Sequence, residues 1–239
     1  MISSDVTGVI GAMEVEIESL AAAMEDRREE RVGDLLFYSG MLSGRRAVVV
    51  RSGIGKVNAA RCTQALIDRY APARIINTGI AGGLLPGLKV GDIVVAGGLV
   101  QHDFDVSAFG YAPGYMFSGD RDKPTVYPAD EALSALLHDT AAELAGAERV
   151  RRGTIASGDQ FIAGSEAKSR IYESFGAAAA EMEGAAIAQV AFLAGVPFTV
   201  IRAISDLADG SASESYDAFE RETAMTSAAI LKEALRRLP

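Results

Sequence analysis

The sequence predicts an α/β fold: one three-layer domain over residues 1–239, with helices packed on a largely parallel sheet. Two patterns carry this expectation. Apolar runs of strand length alternate with stretches of helical length throughout, and no Pro/Ser-rich linker or internal repeat interrupts them. A hydrophobic share of 49% also gives 239 residues ample material for one sizeable core.

Taken in order, Val6 to Ala12 reads as a buried strand, followed by a helix from about Val15 to Met24. Leu35 to Leu42 and Arg46 to Arg51 read as a hairpin joined at Ser43-Gly44. The second of these strands runs into Ser52-Gly53-Ile54-Gly55-Lys56, and a helix spans Val57 to Tyr70. A strand from Arg74 to Thr78 meets a second glycine-rich turn, Gly79-Ile80-Ala81-Gly82-Gly83, and Ile93 to Val100 is strand-like. The next segment, Asp103 to Tyr127, is dense in Gly, Pro and aromatic residues and exceeds ordinary loop length, which suggests a functional or interface role. Helix Asp130 to Ala145, strand Arg151 to Ala156, helix Ser165 to Phe175, strand Ala177 to Ala180 and helix Gly184 to Leu193 follow. A buried strand, Phe198 to Ile204, and a helix, Tyr216 to Leu238, close the chain.

A net charge of −9 argues against nucleic acid and anionic membranes as partners. A single cysteine, Cys62, rules out a disulfide framework within the chain, and two widely separated histidines, His102 and His138, make a structural zinc site unexpected. Met1 to Thr7 is short and polar, so no secretory signal is expected. The longest apolar stretch, Gly184 to Ile201, contains Gln189 and is broken by Gly195-Val196-Pro197, reading as helix, turn and strand. A soluble cytoplasmic protein is expected.

Gly53-Ile54-Gly55, between a strand and a helix, is half of a dinucleotide fingerprint. Asn58 stands at the third glycine position, and the next strand ends near Asn77 with no acid, so a nicotinamide cofactor is not expected. The chain also lacks the Gly-Lys-Ser/Thr of a nucleotide-triphosphate loop. Such a turn can let backbone approach a small ligand, or simply pack helix on strand.

Three apolar runs end in acidic residues: Val9 to Met13 before Glu14, Ala177 to Ala180 before Glu181-Met182-Glu183, and Phe198 to Ser205 before Asp206. Taken singly, Glu14 can complement a helix dipole, Asp206 can start an Asx turn, and Glu183 can cap the next helix. Strand carboxyl ends face the ligand crevice in α/β proteins, however, and converging carboxylates there can donate a proton and activate water.

Seven motifs then appear in order. They are Gly11-Ala12-Met13-Glu14; Ser52 to Asn58; Asn77 to Gly83; His102-Asp103 with Asp105 to Tyr111; Ser157-Gly158-Asp159-Gln160-Phe161-Ile162; Glu181 to Ala186; and Ile204-Ser205-Asp206. Spanning nearly the whole chain at compatible spacing, together they resemble the 5′-methylthioadenosine/S-adenosylhomocysteine nucleosidases. The resemblance implies a nucleoside phosphorylase-like αβα sandwich on a mixed, largely parallel twisted sheet. It implies a homodimer that irreversibly hydrolyses an adenine N-glycosidic bond without metal or organic cofactor. It also implies residue roles. Asp206 would protonate adenine N7, Glu14 would hold water, and Glu183 would grip the ribose hydroxyls. Phe161 and Ile162 would meet adenine, Met182 the ribose, Ser205 would orient Asp206, and Arg202 would sit near the water. Ile80, Ala81 and Gly82 would lie along the substrate; Met13, Ile54, Val106 and Tyr216 would line the 5′ pocket, and Phe109 would come from the partner subunit.

The chain departs from the family pattern at Ile80, where a small polar residue is common, and at Ala112 to Phe117, which replaces a Gly-Gln-x-Pro continuation. It departs again at Tyr216, where phenylalanine is frequent. Three rivals stay open: a purine nucleoside phosphorylase, a nucleosidase for another 5′-modified nucleoside (5′-deoxyadenosine or futalosine type), and a non-catalytic nucleoside-binding protein.

Overall fold

Period-two burial along the central strands sets the layers. The computed structural model describes residues 5–117 and 119–238. In chain order its strands are β1 (Thr7–Gly11), β2 (Glu25–Val32), β3 (Leu35–Leu42), β4 (Arg45–Arg51), β5 (Arg74–Gly83), β6 (Ile93–Gln101), β7 (Tyr127–Pro128), β8 (Val150–Ser157), β9 (Ala177–Glu181) and β10 (Phe198–Asp206). The α-helices are α1 (Glu14–Ala22), α2 (Lys56–Tyr70), α3 (Glu131–Ala145), α4 (Ser165–Phe175), α5 (Gly184–Leu193) and α6 (Ala212–Arg237). Val9, Val49, Ile76 and Ile201 join one buried cluster with α1, α3 and α6. Their neighbours Ile10, Val48, Val50, Ile75 and Val200 join another with α2 and α5. Successive side chains on a strand point to opposite faces, so this alternation places one helical layer on each side of the sheet.

The sheet is mixed. From β5, one branch runs through β1 and β4 in parallel and on through β3 and β2 in antiparallel fashion. The other branch closes on itself: β5 pairs β10, β10 pairs β6, β6 pairs β8, β8 pairs β9, and β9 returns to β5. Strand β5 makes both branches possible by changing neighbour along its length. Arg74 to Asn77 pair with β1, and Gly82 and Gly83 pair with β9. Where β1 leaves and β9 arrives, a crevice opens at the carboxyl ends of the strands, as expected at a topological switch point.

Most elements fall where the sequence places them, and the hairpin turns at Ser43-Gly44, both in the left-handed region that such a turn needs. Three differences are instructive. The glycine-rich stretch Gly79 to Gly83 is not a turn but the second half of the ten-residue strand β5. Strand β2, Glu-Asp-Arg-Arg-Glu-Glu-Arg-Val, has no apolar alternation to reveal it; pairing with β3 imposes it. Helix α6 begins at Ala212, a turn before the expected Tyr216.

Segment Asp103 to Tyr127 holds one short 3₁₀ turn, Ser107–Phe109, and a set of stacked rings in which Tyr111 and Tyr115 lie 5.0 Å apart, while its Ser118 lies outside the described residues. So do residues 1–4 of the polar opening stretch and Pro239. Among the described residues no helix is long and apolar enough to cross a membrane, and Gly184 to Ile201 divides into α5, a turn and β10.

Cys62 sits fully buried on α2, where burial pushes its thiol up to about 12. It should therefore resist an aqueous thiol reagent in the native protein and react at one equivalent per chain after denaturation; rapid native labelling would contradict this packing.

Candidate active site

Strand β5 makes room for two carboxylates by carrying no side chain opposite them. A Cβ added at Gly79 would stand 2.8 Å from Cδ of Glu16, and one added at Gly82 would stand 2.9 Å from Oδ1 of Asp206. Both are closer than such atoms can approach, so glycine is required at each position for the acids to lie against the strand.

Glu16 is the acid that the sequence reading missed. It lies at the third position of α1 and reaches back over the helix start, in the manner of the acid in a capping box. Its Oε2 accepts from the N–H groups of Ala12 at 2.6 Å and Met13 at 3.0 Å, and its Oε1 accepts from Ile80 N–H at 3.1 Å. Burial pushes its carboxyl above the ordinary range, against the opposing pull of the Arg202 charge and these three donors. Glu14, the expected water-holding acid, is not in the cleft. Its side chain is 59% exposed and lies 3.6 Å from Arg51. The reason is geometric: two residues along a helix amount to about 200° of rotation, so the two acids project to opposite sides. The usable signal was the spacing from the helix start, Met13-x-x-Glu16, although Met13 does not fit the Ser/Thr pattern of a capping box.

Asp206 ends β10 almost fully buried. Its Oδ1 accepts from Ala208 N–H at 2.8 Å, and Ser205 Oγ donates to its Oδ2 at 2.9 Å. Burial raises its carboxyl from the ordinary range, with these two bonds opposing. Glu183 follows β9 and accepts the Gly55 N–H at 2.7 Å. Burial first, and then the neighbouring Glu181 charge, push it up to about 8.

Glu181, beside Glu183, is occupied. It takes Arg202 Nη2 at 2.5 Å, the Ser157 hydroxyl, and the N–H groups of Glu183 at 3.1 Å and Gly184 at 2.8 Å. Arg202 is 2% exposed and stands behind the wall rather than on it, with its guanidinium also bonded to Asn77 Oδ1.

These groups line one cavity of about 390 Å³, within the range of small-ligand sites. Of the residues expected there, Met13, Ile54, Ile80, Ala81 and Gly82 line it on one stretch of wall. Phe161, Ile162, Met182, Ser205 and Tyr216 complete the expected set beside Glu183 and Asp206. Besides Glu16, the reading missed Ala12, Gln160, Ala180, Glu181, Ser213 and Asp217, each a near neighbour of an expected residue. Val106 and Phe109 do not line the cavity; Phe109 is 76% exposed. The Phe161 and Tyr216 rings meet edge to face at 5.6 Å, and Tyr216 Oη lies 3.1 Å from both Met13 Sδ and Glu220 Oε1. Among the described residues no three His, Cys, Asp or Glu side chains converge as a metal ion would need.

A cleft that gathers buried carboxyl groups beside an apolar wall has the groups that acid–base catalysis requires. Comparison with known proteins identifies the family. The model of the phosphorylase superfamily matches residues 6–236. A 5′-methylthioadenosine/S-adenosylhomocysteine nucleosidase of Actinobacillus succinogenes is 45% identical over 213 residues, 89% of this chain and 90% of that protein. The crystal structure of such a nucleosidase from Neisseria meningitidis, in complex with methylthio-immucillin-A, superposes with a TM-score of 0.91 at 42% identity, covering 98% of this chain and all of that one. Futalosine hydrolase of Helicobacter pylori superposes with a TM-score of 0.90 at 36% identity, covering 98% of each chain. The chain belongs to the phosphorylase superfamily and, within it, to the 5′-methylthioadenosine/S-adenosylhomocysteine nucleosidases.

Proposed function

We propose that this protein hydrolyses the N-glycosidic bond of 5′-methylthioadenosine and S-adenosylhomocysteine, releasing adenine and the 5′-thio-ribose. The observation that carries this reading is the pairing of Asp206 and Glu16 in one cavity, each seated against a glycine of β5. An acid and a base on either side of a sugar and a water are the arrangement by which inverting glycosidases work.

Cleaving a purine–ribose bond develops negative charge on the base and positive charge on the sugar. Burial favours the protonated form of Asp206, and Ser205 and the Ala208 N–H fix its carboxyl at the end of β10, which suits it to donate to adenine N7. Glu16, whose carboxylate form is favoured by three N–H donors and the Arg202 charge against the effect of burial, is the base that orients and deprotonates water. Glu183 holds the ribose hydroxyls, and Arg202 acts through its charge on Glu16 rather than by touching substrate. Phe161 and Ile162 pack on adenine, with Met182 against the ribose, while Met13, Ile54 and Tyr216 enclose the 5′ substituent.

Phosphorolysis is disfavoured by the same charges. Phosphate dianion would meet Glu16, Glu181 and Glu183, and the one buried arginine beside them is already paired. Relatives named as 5′-methylthioadenosine/S-adenosylhomocysteine nucleosidases recur at 40–45% identity over 89–97% of the chain, which favours the adenine nucleosides. We further infer a cytoplasmic homodimer in which Phe109, exposed and outside its own cleft, completes the partner's site.

Adenine release measured spectrophotometrically should proceed at full rate in phosphate-free buffer; an absolute phosphate requirement would establish phosphorolysis. Asp206→Asn should fold normally and lose about 10²–10⁴-fold in kcat/KM, and wild type that binds the nucleoside without consuming it would make the protein a binding module. Glu16→Gln should lose activity on a similar scale, whereas Glu14→Gln should stay within about twofold of wild type, as an exposed pair with Arg51 implies. Gly79→Ala, which drives a methyl group into the Glu16 carboxylate, should cost about 10²-fold in kcat.

A further inference from the structure

Helix α2 starts with no cap of its own, because Gly55 at its N-cap has no side chain to offer the first free N–H groups. The cap comes from elsewhere. Asp159, 103 residues further along the chain, accepts the Lys56 N–H at 2.8 Å through Oδ1. The N–H of Asp159 donates in turn to Asp103 Oδ2 at 2.8 Å. The other Asp103 oxygen takes the Lys56 ammonium at 2.5 Å, so the circuit begins and ends on one lysine, once through its backbone and once through its side chain. Lys56 Nζ also donates to Gln101 Oε1 at 3.0 Å, and Gln101 donates to Gln189 of α5 at 2.8 Å. None of these residues lines the cleft.

What the circuit grips, however, is the cleft wall on two sides. Gly55, immediately before Lys56, gives its N–H to Glu183. Gln160, Phe161 and Ile162, immediately after Asp159, form the wall that meets the nucleobase. Gly55 has a φ of 95°, and a Cβ there would sit 3.1 Å from Asp159 Oδ1, so the close approach of helix start and loop depends on glycine. The Lys56 and Asp103 side chains are mostly buried, which protects their attraction from salt.

We propose that Lys56, Asp103 and Asp159 are positioning residues that set the distance between the nucleobase loop, residues 160–162, and the ribose-side carboxylate Glu183. The inference rests on the nucleosidase reading and deepens it: nucleoside affinity is set by a polar circuit outside the cleft. Proton transfer involves none of the three, so the circuit acts on binding more than on the chemical step.

Steady-state adenine release from 5′-methylthioadenosine tests this. Asp159→Ala should raise KM about tenfold or more while kcat falls much less, as expected for losing a hydrogen bond to a charged group. Asp159→Asn keeps an oxygen acceptor and should restore most of the wild-type KM, which a purely electrostatic effect would not do. Lys56→Met opens the same circuit from its other side and should give the same KM rise. Combined with Asp159→Ala it should cost no more than the worse single change. An unchanged KM in Asp159→Ala, an asparagine variant as damaged as the alanine variant, or fully additive losses in the double variant would each overturn the proposal. Wild type that releases no adenine would defeat the functional reading itself; active wild type with indifferent variants would defeat only this inference.

Discussion

One buried guanidinium supplies the positive charge behind the cleft. Arg202 is the cation that acts on Glu16, Glu181 and Glu183, and burying it without partners would be prohibitively costly. Glu181 provides that partner, and is itself saturated by Ser157 and the N–H groups of Glu183 and Gly184. With the charge of Arg202 shared among three acids, burial can push Glu16 and Glu183 upward without expelling either from the wall. Arginine, unlike lysine, keeps its charge when buried, so the balance does not drift with pH through the cation. The acid–base division proposed for Asp206 and Glu16 rests on this fixed background.

The sheet topology delivers the acids to that background. Strand β5 spends its first four residues beside β1 and its last two beside β9, and the acids follow the carboxyl ends of β1, β9 and β10. A strand with ordinary side chains at positions 79 and 82 would fill the space that the carboxylates of Glu16 and Asp206 occupy. Fold and chemistry therefore meet in the backbone of one strand, whose glycines are vacancies rather than hinges.

Much of this was legible from residue order alone. Helices α4 and α5 and strand β3 begin and end where turn residues and apolar spacing place them. Asp206 and Glu183 were visible as acids at the ends of apolar runs. What escaped was decided by tertiary pairing. The glycines of β5 look like a turn until β10 and β9 hold them extended. Glu14 and Glu16 are indistinguishable as local signals, and only the position of the helix start decides which one reaches back to the N–H groups of Ala12 and Met13. Lys56, Asp103 and Asp159 lie in three motifs far apart in the chain, and their circuit exists only once β6, α2 and the loop after β8 come together.

The closed strand circuit has a further consequence for how copies of the protein meet. Because that end of the sheet joins itself, β2 is the single terminal strand of the main path, with only the two-residue β7 lying off it. Seven of its eight residues are acidic or basic, and Val32 alone is apolar. Charged side chains along an open edge hold it in water, and continuing the ladder with a second molecule would require that hydration to be given up.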